Sequence, residues 1–489
     1  MSLKTFFKNA LKPVDLTRGK PWKVLLLYGA PIMISYFLQQ LYVLSDAVIC
    51  GQVLSAEQIA GVNDTGPLTF FFLQFAFGCT AGFSVITAKF VGIGDKKRVR
   101  KSFATQIYLS FFISVILTAL SLVLLPHLLG LINVTPDNKE VYDAAYEYCF
   151  IIFVGIFTQI GYNFICGILR SCGDSVTPLV FLIVSTVLNV GLDVIMLVPL
   201  NMGPKGAAIA TVIAQFVSFV ACFVYTMIKY KDLRLKKEDF SISFNDVTSH
   251  LRQGIPLGLQ FSILAVGIIV MQGAVVKFDV NEYGAMVAGT PAQNGFGAAN
   301  KLVNFLMAFY NGLSSALLGF NAQNYGKGDY EAVKKGTVQA LIISLIIYVF
   351  CLTTALILSV NGTYQYIFMS KDKITAESIK FGNTYIYCDF SLYFILGFLI
   401  MIRSAVQGVC KPGFVLAAGI AELTARTLIC SFLPTIVNGG AISANASTLS
   451  FFAVCAGDPG AWVFASLVLI YPFVKNILGK SYPKPRVLR

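Results

Sequence analysis

Long apolar stretches alternate along the chain with short segments rich in charge, Gly or Pro. The apolar stretches lie near residues 24–50, 67–91, 103–126, 145–169, 178–200, 206–228, 255–277, 296–323, 336–360, 380–402, 412–434 and 448–474. Each runs to roughly 20 residues or more, enough for a helix rising about 1.5 Å per residue to cross a hydrocarbon layer of about 30 Å. The pattern predicts an all-α integral membrane protein with twelve transmembrane helices. The first stretch is too long for a cleaved signal peptide and has no small-residue cleavage site, so it is expected to stay as a membrane helix.

The same motifs recur in the same order in the two halves. Gly29-Ala30-Pro31 is echoed by Gly254-Ile255-Pro256, GIGDKKRVRK from Gly92 by GKGDYEAVKK from Gly326, and GPKGA from Gly203 by GDPGA from Gly457. This predicts two pseudo-symmetric six-helix bundles: an N-lobe over 1–228, a basic cytoplasmic linker over 229–254, a C-lobe over 255–475 and a basic cytoplasmic tail over 476–489. An even number of spans per half gives both halves the same orientation, with a cavity between them about which they can rock for alternating access.

Composition agrees with the pattern. The chain is 56% hydrophobic and only 12% charged, against about 25% in soluble domains, which excludes a water-soluble globule. Of the 37 Lys and Arg, 28 fall in the segments that are inner if the N-terminus is cytoplasmic and seven on the outer side, three of these (Lys277, Lys301, Lys380) at the outer ends of spans, while Lys89 and Arg426 are the other two within spans. This asymmetry predicts a multi-pass protein of the cell inner membrane or plasma membrane with both termini cytoplasmic. It also explains the net charge of +13 without nucleic acid, because the basic residues sit between spans and not on one helix face. Neither a heptad seam nor a GxxxG face stands out, so a monomer is expected.

The inventory is poor in catalytic groups. Eleven cysteines without CxxC spacing and two histidines, His127 and His250, both beside loops, indicate no disulfide framework, zinc site or Ser-His-Asp arrangement. A membrane-bound transferase would need paired acids or His at a membrane face, beside a headgroup-binding loop, and none is found. The chain is therefore expected not to be an enzyme, and to carry no cofactor. The Gly-rich GIGD and GKGD follow no strand and no GxxxxGKS/T is present, so no ATP is expected to drive it.

Most acids lie in loops or toward span ends, but Asp46, Asp193, Asp389 and Glu422 fall within apolar spans. A charged acid at a helix centre costs about 2.5 to 3.5 kcal/mol on insertion scales, so such residues face a protein cavity and have work there. Tyr42 lies one helical turn before Asp46 and Asn189 one turn before Asp193, each pair on one face, and Thr211 in the sixth span adds a hydroxyl. Burial and mutual repulsion favour the protonated form of paired carboxyls, which suits them to carry a proton. The same oxygens of Asp46, Asn189, Asp193 and Thr211 suit Na+. In the C-terminal half, Glu422 and Arg426 have the spacing of an internal ion pair. Asp389 is expected to be either a second cation contact or a polar packing residue. A cavity lined by Phe, Tyr and Met would take amphipathic, often cationic small molecules by apolar and cation–π contact.

YGAPIMISYFLQQLYVLSDAVICG (28–51), GIGD (92–95), GILRSCGDSVTP (167–178), LNVGLD (188–193), GAAIATVIAQ (206–215) and ELTAR (422–426) together resemble the multidrug and toxic compound extrusion (MATE) family, most closely its bacterial DNA-damage-inducible-F-like branch. The resemblance covers essentially all spans in order. It implies a twelve-helix, two-lobed secondary active multidrug exporter that exchanges H+ or Na+ for amphipathic compounds. It also implies that Tyr42, Asp46, Asn189, Asp193 and Thr211 match the N-lobe cation-site positions. The seventh span, GIPLGLQFSILAVG, lacks the glutamate of the NorM-like branch. Gln407 and Lys411 stand where the first half has Arg170 and Asp174. The outer segments 281–295 and 435–459 are longer than usual in the family, as an outer cover on the cavity would be. The alternative from the same superfamily is a lipid-linked oligosaccharide flippase, which calls for a strongly cationic cavity and often extra spans.

Overall fold

A computed structural model describes residues 12–132 and 134–479. The helices are α1 (Pro21–Val53), α2 (Ala56–Asp64), α3 (Gly66–Ile93), α4 (Lys96–Leu131), α5 (Lys139–Val154), α6 (Ile156–Ser171), α7 (Val176–Leu197) and α8 (Pro204–Lys229) in the first half. The second half has α9 (Phe244–Val276), α10 (Pro291–Lys327), α11 (Tyr330–Ser359), α12 (Gln365–Phe368), α13 (Ala376–Ser391), α14 (Tyr393–Gly408), α15 (Pro412–Asn438), α16 (Thr448–Cys455) and α17 (Gly457–Phe473). Ten segments are long and apolar enough to cross a membrane, and the bent pairs α5/α6 (43°) and α13/α14 (52°) bring the spans to as many as 12. Helices suit these sequences because only a helix or a closed barrel satisfies its own backbone in lipid. Of the tail expected over 476–489, residues 480–489 lie outside the described residues.

The repeated GIGD and GKGD are helix punctuation. Gly94 and Gly328 adopt φ of 80° and 81° and terminate α3 and α10 in the left-handed conformation. The next residues, Asp95 and Asp329, accept from the backbone N–H of Arg98 (3.0 Å) and Ala332 (2.9 Å) and so cap α4 and α11. One four-residue string thereby ends one helix and starts the next in both bundles.

The halves join through close helix approaches that correct one expectation. GxxxG faces are present at Gly78/Gly82 and Gly254/Gly258, and they meet inside the monomer: a Cβ on Gly78 would strike the Gly258 backbone at 2.7 Å, and one on Gly82 would strike Cα of Gly254 at 2.6 Å. Antiparallel α3 and α9 thus touch backbone to backbone, the packing that small residues permit in apolar surroundings. The seventh span also begins earlier than its apolar run, at Phe244. The polar first turns of α9 project beyond the run and carry Asp246, which pairs with Lys101 (2.8 Å). Further pairs, Lys96–Asp232 (2.8 Å) and Arg100–Asp239 (3.0 Å), pin the linker to α4.

Helix α1 is shared by both bundles. Up to Phe37 it packs on the second half: Gly29 beside Ala316, Tyr36 within 3.2 Å of Ser315, and Phe37 edge-on to Phe305. Val24, Leu25, Tyr28 and Ile32 belong to the same apolar core as α10 and α14. Beyond Pro31, the helix reaches Tyr42, which is bonded to Thr211 of the first half. At the far end of the molecule the long outer segments hold each other. The Asp279 carboxylate caps α10 by accepting from Ala292 and Gln293 (2.9 Å each). The Ala444 N–H donates to the Val280 carbonyl (2.8 Å), and Asn445 donates to Glu282 (3.2 Å).

Candidate functional site

The fold brings together all five residues expected at the N-lobe site. Helix α1 supplies Tyr42 and Asp46, α7 supplies Asn189 and Asp193, and α8 supplies Thr211. The Thr211 hydroxyl is the hub, 3.2 Å from the Tyr42 hydroxyl and accepting from the Asn189 amide at 3.4 Å. Asn189 and Asp193 are fully buried, and the carboxyls of Asp46 and Asp193 lie against each other. Oδ1 of Asp46, Oδ1 of Asn189 and both Asp193 oxygens are buried and have no hydrogen-bond donor. Among the described residues, neither acid forms an ion pair with Lys or Arg. What the site offers is a set of unpartnered oxygen acceptors from two acids and an amide, fitted to a proton or a hard cation and unsuited to a thiolate- or imidazole-binding metal. Among the described residues no group of three or more His, Cys, Asp or Glu is arranged to hold a metal ion.

The second half is wired differently. The Glu422–Arg426 contact is present, but at 3.6 Å it is the longest link in a chain that sequence reading missed. Arg403 of α14 holds Glu422 at 2.5 Å, and Arg426 holds Asp458 at 2.7 Å, to which the Tyr385 hydroxyl also donates (2.9 Å). Arg403 lies just past the run 380–402 and Asp458 within the run 448–474, and each pairs with a residue of another helix, so no spacing along the chain marks either contact. Asp389 is fully buried near Asp458 and Arg426, with neither oxygen bonded. It lies in the C-terminal bundle with this network, apart from the Asp46–Asp193 pair.

Two motif residues also find their place. Asp174 caps α7 through Thr177 (2.9 Å) and binds Lys229 (3.0 Å) and the Tyr230 hydroxyl, so its work is structural. Arg170, four residues earlier, instead lines a cavity between the bundles along with Tyr28, Tyr36, Phe77, Tyr162 and Asn163.

Residues 31–195 and 284–437 match the MatE family. The chain is 29% identical over 333 residues (66% of this chain, 69% of the relative) to the probable multidrug resistance protein YpnP of Bacillus subtilis. It is 25% identical over 430 residues (85% and 89%) to the FAD transporter of Shewanella oneidensis. A solved outward-facing multidrug resistance MATE family transporter shares its fold, with a TM-score of 0.81 at 20% identity over 95% of this chain and 98% of that one. With a family match over more than half its length and the family's fold throughout, the chain belongs to the MatE family, the multidrug and toxic compound extrusion transporters.

Proposed function

We propose that the protein is a secondary active exporter of amphipathic organic compounds, driven by the entry of H+ or Na+ at Asp46 and Asp193. The carrying observation is that the buried Asp193 carboxyl faces the half-buried carboxyl of Asp46 with no basic partner among the described residues. Such a pair is stable only with a cation between the oxygens, a shared proton or a sodium ion, so gain and loss of that cation costs enough to drive a conformational change. Tyr42 and Asp46 lie on the far part of α1, whose near part is bound to α10 of the other bundle. Filling or emptying the site therefore pulls on the helix that links the bundles. Ion entry down the membrane potential supplies about 2.3 kcal/mol per charge per 100 mV. Asp389, buried and unbonded, is proposed as a weaker second cation contact.

The relatives named for multidrug resistance support export of small molecules. The flippase alternative is not favoured: Arg170 is the sole charged side chain among the described cavity residues, where a strongly cationic lining is required. We further propose a monomer in the plasma or inner membrane with both termini cytoplasmic and lobes divided at 229–254. Efflux of ethidium and of carboxyfluorescein from proteoliposomes, under separately imposed proton and sodium gradients, tests the mechanism. One ion gradient should drive efflux of at least one dye, and Asp46→Asn and Asp193→Asn should each abolish it. Undiminished efflux in both variants would remove the proposed role of the pair.

A further inference from the structure

The cavity between the bundles has a polarity opposite to that of the Asp46–Asp193 site. Its rings come from Tyr28, Tyr36, Phe77 and Tyr162, and its single charge from Arg170 on α6. No acid lines it. Asp174, the nearest carboxylate along the chain, is already held by Thr177, Lys229 and Tyr230. Among the described residues Arg170 has no salt-bridge partner and no side-chain hydrogen bond, and its Nε is shut off from solvent and unpartnered. On the same face of α6, about two turns earlier, the Asn163 amide nitrogen is likewise sealed and unpartnered. The hydroxyls of Tyr28 and Tyr162 donate to the carbonyls of Arg170 (2.7 Å) and Pro178 (3.0 Å), so their protons are spent and their rings are left as flat walls.

A guanidinium cannot shed its charge, and leaving a half-buried one with its Nε sealed and unpaired is costly unless a ligand completes it. The sealed, unpartnered atoms among the described lining residues are both N–H donors, Nε of Arg170 and the amide nitrogen of Asn163. A cationic guest would meet a like charge and no acceptor carboxylate. We propose that the cavity takes organic compounds that join a flat aromatic body to an anionic group, a carboxylate, phosphate or sulfonate, with Arg170 holding the anion and the tyrosine and Phe77 rings holding the body. This names the substrate class of the exporter proposed above, and it rests on that reading only for the claim that the bound compound is then moved. Arg170 is suited to this because its planar fork matches two oxygens at once, and because Tyr28 of α1 is bonded to its own backbone carbonyl. Occupancy at Arg170 is thereby mechanically close to the helix that carries Asp46.

The test is equilibrium binding to the purified full chain in nanodiscs, without any ion gradient, of three fluorescent probes with one ring system and different charges: pyrenebutyrate, pyrenebutyramide and pyrenemethylammonium. The wild-type protein should bind the carboxylate at least about tenfold more tightly than the ammonium, with the amide between them. Arg170→Gln should lower affinity for the carboxylate about tenfold or more and leave the amide unchanged. Arg170→Lys should keep the order of charges with a smaller margin. Equal affinities for all three probes, no binding of the carboxylate, or undiminished carboxylate binding to a folded Arg170→Gln protein would each overturn the proposal. Should Arg170→Gln not fold, the wild-type order of the three probes decides alone. Because no gradient is present, a failure of the carboxylate-driven antiport leaves this readout untouched, and the reverse also holds.

Discussion

In the first half Asp46 and Asp193 face each other with no arginine or lysine among the described residues to answer them, whereas in the second half Glu422 and Asp458 are each clamped by a guanidinium. Both sets are buried in the same kind of apolar bundle, and the two halves are repeats of one another. The difference lies in what neutralises the charge. A fixed guanidinium neutralises permanently and holds helices together; an exchangeable cation neutralises only while bound and so can report or drive a change of state. The two halves are similar scaffolds, and the placement of Arg403 and Arg426 in one of them separates a brace from the open pair proposed as a switch.

The sharpest way to break this contrast is to delete a partner on each side. Arg426→Met leaves Asp458 without its guanidinium and should destabilise the protein by about 3–5 kcal/mol, read as a fall in melting temperature in detergent or loss of folded protein. Asp193→Asn, which removes a charge that has no fixed partner, should leave the melting temperature level with wild type or raise it. Equal losses in the two variants would erase the distinction between brace and switch.

A somewhat smaller effect is expected from the ion itself. If Na+ is the coupling ion, saturating it at about 100 times its dissociation constant should stabilise the wild-type protein by about 2.7 kcal/mol, and Asp46→Asn should lose that response while Arg426→Lys keeps it. If the ion is H+, the same loss should show as missing proton exchange in weakly buffered solution when the bundles change state. A sodium response that survives Asp46→Asn would move the ion site elsewhere, with Asp389 the first place to look.

Hydroxyl deletions should give the smallest effects. Tyr385→Phe removes the bond to Asp458 and should cost about 1 kcal/mol of stability with ion-driven efflux intact. Tyr42→Phe removes the contact with Thr211 at a similar cost, but it should also shift the ion dependence of efflux, because the Thr211 hydroxyl orients Asn189 beside Asp193. Identical efflux profiles for the two variants would deny Tyr42 any part in the ion site.

Much of the N-lobe site was legible because acids and amides at helical spacing in apolar runs are rare and costly, so Tyr42–Asp46 and Asn189–Asp193 announce their own faces. The C-terminal network was only half legible. Glu422 and Arg426 share a helix and were visible as a pair, but their stronger partners, Arg403 and Asp458, sit on other helices. Arg170 appeared only as a letter in a motif, since nothing local distinguishes an arginine that snorkels to an interface from one that turns into a cavity. The GxxxG faces of α3 and α9 were overlooked because neither repeats along its helix; each has meaning only against the other.

Apolar run length, the bias of basic residues toward one side and the order of repeated motifs determined by themselves that this is a membrane protein of twelve spans in two related bundles. Those properties depend on transfer between water and lipid, which each segment experiences alone. Tertiary structure alone decided that α1 serves both bundles, that Arg403 and Arg426 brace one set of acids while the other set is left open, and that Arg170 faces a cavity empty of carboxylates. Charge pairing acts over a few ångströms between helices distant in sequence, so its outcome is set by how the helices pack and not by what any one of them contains.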